Sequence, residues 1–95
     1  MDRAARIERL LSDNLSPTHL EIVDESHLHA GHAGARDGGE THYRVTVVAA
    51  VFEADSRVGR QRRVNALLAK EFSGGLHALS IRALTPKEYS DTQTT

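Results

Sequence analysis

Histidine is the residue type in this sequence that is most suited to metal binding or acid–base chemistry. The chain of 95 residues contains six histidines and no cysteine. Three of them, His27, His29 and His32, lie within six consecutive residues next to several glycines. Neutral imidazole is a good ligand for zinc, copper or iron. The same pattern is also typical of polar side chains in an exposed loop, and short motifs match by chance. Spacing alone therefore favours an ordinary loop over a metal site.

The other three histidines each begin a predicted strand. His77 follows a pair of glycines after one residue, and His19 and His42 stand at the start of the first two strands. A single histidine at a strand end is ordinarily half-buried and bonded to the backbone. These side chains could meet the loop histidines only if the fold brought them together, which spacing cannot show.

Four arginines, Arg57, Arg60, Arg62 and Arg63, crowd the start of a predicted helix. Guanidinium groups bind phosphates, and cations at a helix N-terminus are mildly unfavourable to the helix dipole, which hints at a purpose other than stability. The alternative is a solvated helix face. The chain carries 12 Lys and Arg against 13 Asp and Glu, for a net charge of −1. Binding to nucleic acid by bulk charge alone is therefore not expected.

Enzyme motifs are missing from the sequence. It contains no supported Ser/His/Asp order, nucleotide-binding glycine loop or carboxylate pair. Asp24 and Glu25 are neighbours on a strand, so their side chains point to opposite faces. The absence of cysteine excludes a disulfide, a thiol nucleophile and an iron–sulfur cluster held on the chain's own thiolates. We therefore expect a non-enzymatic protein.

The elements that must position these residues follow the order α-β-β-α-β-α. The first helix carries Ala4, Ile7, Leu11 and Leu15, is capped by Asp2 and ends before Pro17. Strands are predicted over 19–26, 41–49 and 76–84, with a glycine-rich loop over about 27–40. A helix over 56–73 places Val64, Leu68 and Phe72 in one apolar stripe. A capping box, Thr85 with Glu88, starts a short last helix.

These elements predict one α+β domain over residues 1–89, with a flexible polar tail over 90–95. The first two strands pair antiparallel, and the right-handed crossover makes the second and third parallel. The result is a three-stranded mixed sheet with helices packed on one face. Since no signal peptide or membrane-spanning run is present, we expect a cytoplasmic protein without membrane contact.

Several segments in order resemble the BolA-like family. They cover residues 7–89 and comprise VDESHLHAGH at 23–32, GETHYRVTVV at 39–48, RQRRVNALL at 60–68, LHALSI at 76–81 and LTPKEY at 84–89. The resemblance implies a class II KH-like fold, in agreement with the element order. It also implies a partnership with a monothiol glutaredoxin through a bridging 2Fe–2S cluster, in iron–sulfur and iron homeostasis. The resemblance further implies that glutathione and the glutaredoxin supply the thiolates, and we expect the chain alone to hold no cluster.

The resemblance assigns His77, at the start of the last strand, as one metal ligand. The loop ligand matches His29, with His27 and His32 as substitutes, while His19 and His42 are expected to be structural. The family is also linked to stress response and transcription regulation, which implies a DNA contact through Arg57, Arg60, Arg62 and Arg63. Gln61 stands where the family often has histidine. A homodimer and a zinc-loaded loop without a redox role remain as further alternatives.

Overall fold

The computed structural model describes residues 2–26 and 41–93. The helices are α1 (Arg3–Leu15), α2 (Arg57–Leu67), α3 (Ala69–Ser73) and α4 (Pro86–Gln93). The strands are β1 (His19–Asp24), β2 (His42–Val48) and β3 (Ala78–Leu84), and a 3-10 turn covers Ala50–Ala54. The predicted loop over 27–40, with His27, His29 and His32, lies outside the described residues.

The three strands form one mixed sheet in the order β1-β2-β3. β1 runs antiparallel to β2, with His19 opposite Val48, and β2 runs parallel to β3, with His42 opposite Ala78. This topology confirms the predicted α+β class. The end of β1 and the starts of β2 and β3 therefore meet at one end of the sheet. We call this place the histidine end and define it by Ser26, Thr41, His42 and His77.

The hydrophobic core lies between the sheet and the helices on one of its faces. Alternation along β2 directs three side chains to that face, and α1 and α2 contribute residues at helical spacing. Its fully buried members include Ile7, Leu11, Val45, Val47, Phe52, Val64 and Leu68. α1 begins as predicted, because the Asp2 carboxylate accepts a hydrogen bond from the Ala5 N–H. It ends at Ser16, whose φ of 47° is left-handed.

The predicted helix over 56–73 is divided into α2 and α3 at Leu68, whose backbone (φ −103°, ψ 13°) leaves the helical region. The break changes which side chains face inward. Phe72, expected in the buried stripe, is 37% exposed, and Glu71 is buried instead. The Arg3 and Arg6 Nε atoms donate to the Glu71 carboxylate at 3.0 and 2.9 Å. The Arg6 hydrogen bond, supported by Arg3, holds the pKa of Glu71 below its usual value against the effect of burial.

The last helix, α4, begins with the predicted capping box. The Thr85 N–H donates to Glu88 Oε1 at 2.8 Å, and the Glu88 N–H donates to Thr85 Oγ1 at 3.2 Å. The Tyr89 ring stacks on the His19 ring with centroids 4.8 Å apart. The helix continues to Gln93, so it is longer than the sequence predicts and includes most of the expected tail. Across the two described ranges, no helix has the length and apolar character that a bilayer crossing demands.

Candidate functional site

Two imidazole rings meet at the histidine end. The ring centroids of His42 and His77 lie 5.2 Å apart, and the ring planes are inclined by 51°. The contact follows from the parallel pairing of β2 and β3, because His42 is the first residue of β2 and His77 immediately precedes β3. Two neighbouring imidazoles are a donor set that suits a transition metal ion.

Hydrogen bonds donated by backbone N–H groups fix the positions of both histidines. Ser26 Oγ accepts from the N–H groups of Thr41 and His42 at 2.9 and 3.1 Å. The Thr41 carbonyl in turn accepts from the N–H groups of His77 and Ala78 at 2.8 and 3.1 Å. The chain that leaves β1 at Ser26 and the chain that returns at Thr41 are thus tied to each other and to the start of β3.

The two histidines differ in their surroundings. His42 is buried, and its Nδ1 lies 2.8 Å from Thr41 Oγ1, also buried. His77 is exposed, and its side chain forms no hydrogen bond with the residues that the structure describes. An exposed imidazole on a fixed backbone can reach a metal bound by another molecule, whereas His42 supports the site from inside.

The structure brings together only some of the histidines singled out from the sequence. His77 and His42 meet, while His19 lies at the opposite end of the sheet, where it stacks on Tyr89 and faces Glu21 at 3.5 Å. The proximity of His42 to His77 was missed from the sequence. The sequence does contain a signal for this proximity. Both histidines stand at the starts of strands that the predicted crossover makes parallel neighbours. In the two described segments, no group of three or more His, Cys, Asp or Glu residues could hold a metal ion.

Arg60 is a structural residue of the α2 surface. Its side chain is 10% exposed, and its Nη1 lies 2.7 Å from Glu88 Oε1. The guanidinium also donates to the carbonyls of Phe52 and Ala83, both at 3.2 Å. The Glu88 carboxylate accepts hydrogen bonds from the Thr85 N–H and from Arg60. Together they lower the pKa of this carboxyl to about 2, and the Thr85 N–H has the larger effect. This arginine joins α2, β3 and α4.

The remaining three arginines of α2 are more accessible. Arg63 donates twice to Asp55, at 2.7 and 3.0 Å, and this contact lowers the pKa of the Asp55 carboxyl. Arg57 is 88% exposed and lies 3.8 Å from Glu88. Arg62 is exposed, with no ion-pair partner among residues 2–26 and 41–93. A phosphate would therefore meet Arg57 and Arg62 before the other two.

Comparisons with known proteins agree with this fold. The model of the BolA-like protein family matches residues 11–88. A Sinorhizobium protein described as an uncharacterized protein in the cobS 5′ region is 43% identical over 93% of this chain and 96% of its own length. Human BolA-like protein 1 is 45% identical over 92% of this chain, which spans 61% of the human protein.

Solved structures give the same result. The BolA domain of SufE1 from Arabidopsis thaliana superposes with a TM-score of 0.83 at 43% identity, over 93% of this chain and 96% of that domain. The SufE-like protein 1 of the same plant is much longer, and this chain spans only 24% of it. The family match, the identity to its members and the shared fold together show that the chain belongs to the BolA-like family.

Proposed function

We propose that the protein is a non-enzymatic partner of a monothiol glutaredoxin and shares a bridging 2Fe–2S cluster with it. The observation that carries the proposal is the exposed imidazole of His77 beside the ring of His42, 5.2 Å away between centroids. Family membership supports the same function. In this arrangement the protein supplies imidazoles, and the glutaredoxin and glutathione supply thiolates.

The donor set at the histidine end fits this role. The chain has no cysteine, so any iron bound here receives no thiolate ligand from it. Imidazole ligands on one iron resemble the Rieske arrangement and raise the reduction potential relative to thiolates. A cluster bound in this way would accept electrons at a higher potential than one held only by thiolates.

His77 is the first ligand in the proposal because it is exposed and its backbone is fixed by Thr41. His29 is the second ligand, with His27 and His32 as substitutes. His29 is three positions after Ser26 in the sequence, and three residues of any chain span at most about 11 Å. Since Ser26 is bonded to Thr41, that span starts beside His77. His42 remains the supporting neighbour. It is also the alternative second ligand, because its ring centroid lies 5.2 Å from that of His77.

Regulation of transcription through DNA contact is the alternative function. It receives less support from the contacts of α2, because Arg60 is buried against Phe52, Ala83 and Glu88. Arg63 is bound by Asp55, so Arg57 and Arg62 remain as the exposed cations. Two such contacts predict weak, salt-sensitive binding.

The experiment that tests the proposed function is reconstitution. The purified protein is mixed with a monothiol glutaredoxin, glutathione, iron and sulfide, and visible absorption and circular dichroism are measured. The proposal predicts spectra that differ from those of the glutaredoxin with glutathione alone. Identical spectra would refute it.

A further inference from the structure

The two edge strands of the sheet differ in whether other parts of the fold cover their outward backbone groups. The strand order leaves β1 and β3 as edge strands. An edge strand presents backbone N–H and C=O groups that can pair with another chain, and proteins usually protect such groups with charged side chains, proline or a covering element. Within the described ranges 2–26 and 41–93, such contacts protect the backbone groups of one edge of this sheet and not those of the other.

Side chains of α2 cover the edge formed by β3. Parallel pairing with β2 directs the backbone groups of Ile81 and Ala83 outward, and both carbonyls have partners. Gln61 Nε2 donates to the Ile81 carbonyl at 3.0 Å, and Arg60 Nη1 donates to the Ala83 carbonyl at 3.2 Å. Pairing of another strand with β3 would have to displace both bonds.

Among the residues that the structure describes, none covers the edge formed by β1 in this way. The Glu25 N–H donates to the His42 carbonyl, so in the antiparallel ladder Glu21 and Val23 also turn their backbone groups toward β2. Leu20 and Ile22 therefore turn theirs outward. Within residues 2–26 and 41–93, no donor or acceptor is bonded to these outward groups. β1 contains neither lysine nor proline, and its charged residues, Glu21 and Asp24, are both acidic.

A groove runs beside this edge. Its cavity of about 370 Å³ lies between β1 and the first turns of α1 and is lined by Asp2, Ala4, Ala5, Glu8, Leu20 and Ile22. Four of these six residues are apolar, and the two ionisable ones are both acids. Glu8 is exposed and has no cationic partner in the described part of the chain. The groove therefore suits an apolar side chain that is accompanied by positive charge.

We propose that the outer edge of β1 is a docking site for an extended segment of a partner protein, with a short apolar run flanked by lysine or arginine. The segment would add a fourth strand by bonding to the outward N–H and C=O groups of Leu20 and Ile22, which supply affinity. Its apolar side chains would enter the groove, and its cations would face Glu8 and Asp2, which supply specificity. A second copy of this chain fits less well, because it would bring a second acidic groove against the first.

Amide hydrogen exchange of ¹⁵N-labelled protein tests two statements: that the outward amides of β1 are unbonded in the free protein, and that a peptide docks on them. In the free protein, the amides of Leu20 and Ile22 should exchange rapidly, while those of Glu21 and Val23 are protected. The probe is the capped peptide Lys-Lys-Val-Val-Val-Lys-Lys, at millimolar concentration, with Glu-Glu-Val-Val-Val-Glu-Glu as its charge-reversed counterpart. The lysine peptide should slow exchange of both amides at least tenfold and shift resonances of β1 and of the first turns of α1.

The variant Glu8→Lys identifies the acidic groove as the source of specificity. It should weaken binding of the lysine peptide by about threefold or more, and it should improve binding of the glutamate peptide. The matched control Glu53→Lys makes the same charge change at an exposed residue of the 3-10 turn and should change neither affinity. Protection of Leu20 and Ile22 in the free monomer would overturn the proposal. So would protection that appears only with dimerisation, equal binding of both peptides, or no binding of either.

Discussion

The rings of His42 and His77 lie 5.2 Å apart between centroids, although 35 positions separate the two residues in the sequence. Parallel pairing of β2 and β3 produces this contact, and the Thr41 carbonyl secures it by accepting from the His77 N–H. Thr41 also contacts His42 through its hydroxyl. One threonine therefore connects a buried histidine to an exposed one, which gives the exposed ring a fixed base from which to bind a ligand.

Separate replacement of His29 and of His42 distinguishes a residue that binds the cluster from one that only supports the site. We expect His29→Ala to weaken the visible spectrum of the complex with glutaredoxin, unless His27 or His32 replaces the lost imidazole. The triple variant at His27, His29 and His32 should remove that substitution. We expect His42→Ala to retain the spectrum. Loss of the spectrum in His42→Ala, with an unchanged spectrum in the triple variant, would make His42 the second ligand.

His42→Ala should also lower the stability of the apoprotein. The buried Thr41 hydroxyl loses its imidazole partner, and an unsatisfied buried polar group costs about 1–3 kcal/mol. Urea unfolding of the wild type and the variant measures this difference. His77→Ala is the matched control, because that side chain is exposed and its loss should change the unfolding free energy by less than about 0.5 kcal/mol. Equal stability of wild type and His42→Ala would contradict the supporting role.

The capping box of α4 predicts a specific acid sensitivity. The Thr85 N–H and Arg60 lower the pKa of Glu88 to about 2 in the folded protein, from a model-compound value of 4.5. A carboxyl whose pKa is lowered by folding stabilises the fold above its unfolded pKa and loses that contribution as the pH falls toward its folded pKa. Glu88 therefore contributes fully above about pH 5 and progressively less toward pH 2.

Thermal unfolding by circular dichroism between pH 7 and pH 2 measures this contribution. The Tm difference between wild type and Glu88→Gln should be largest above about pH 5 and should shrink as the pH approaches 2. Glu53→Gln is the control, since it removes an exposed carboxylate outside the box and should not produce the same trend. A difference between wild type and Glu88→Gln that stays constant over this range would show that Glu88 does not act through its ionised form.

The arginine contacts of α2 predict which side chains carry any affinity for DNA. Arg57 and Arg62 are exposed, whereas Arg60 and Arg63 are bound by Glu88 and Asp55. The double variant Arg57→Gln/Arg62→Gln should reduce the slope of log affinity against log salt by about 1.8 on duplex DNA, if each arginine contacts one phosphate. Fluorescence anisotropy over a salt series measures the slope.

The control for the DNA measurement is Arg9→Gln/Arg44→Gln, which removes two exposed arginines outside α2. Its salt slope should equal that of the wild type. An unchanged slope in the Arg57/Arg62 variant, or a reduced slope in the control alone, would place the DNA contact elsewhere on the molecule and would exclude α2 as its source.

Local signals predicted most of the fold. Asp2 and the Thr85–Glu88 box mark helix starts because each cap is made by a side chain within three residues of the groups it satisfies. The alternation along β2 and the crossover to β3 identify a mixed sheet. The break at Leu68 and the burial of Glu71 were not predicted. Glu71 contacts Arg3 and Arg6, which are more than 60 positions away in the sequence, and local patterns do not reveal such contacts.

The candidate site was only partly predictable for the same reason. His77 was singled out through the resemblance to the BolA-like family, but its contact with His42 requires the register of two strands. The arginines show the opposite case. The sequence indicated one cluster of four cationic side chains. In the structure, Arg60 is buried and bonded to Phe52, Ala83 and Glu88, and the spacing of residues along α2 does not reveal these contacts.

The measurement that tests the central claim most directly compares wild type with His77→Ala during reconstitution with a monothiol glutaredoxin and glutathione. Visible absorption and circular dichroism should change when the wild type is added to the glutaredoxin mixture, and His77→Ala should leave the spectra of that mixture unchanged. The control His19→Ala removes an imidazole at the opposite end of the sheet and should behave like the wild type. A spectrum with His77→Ala that equals the spectrum with wild type would contradict the claim that His77 binds the cluster.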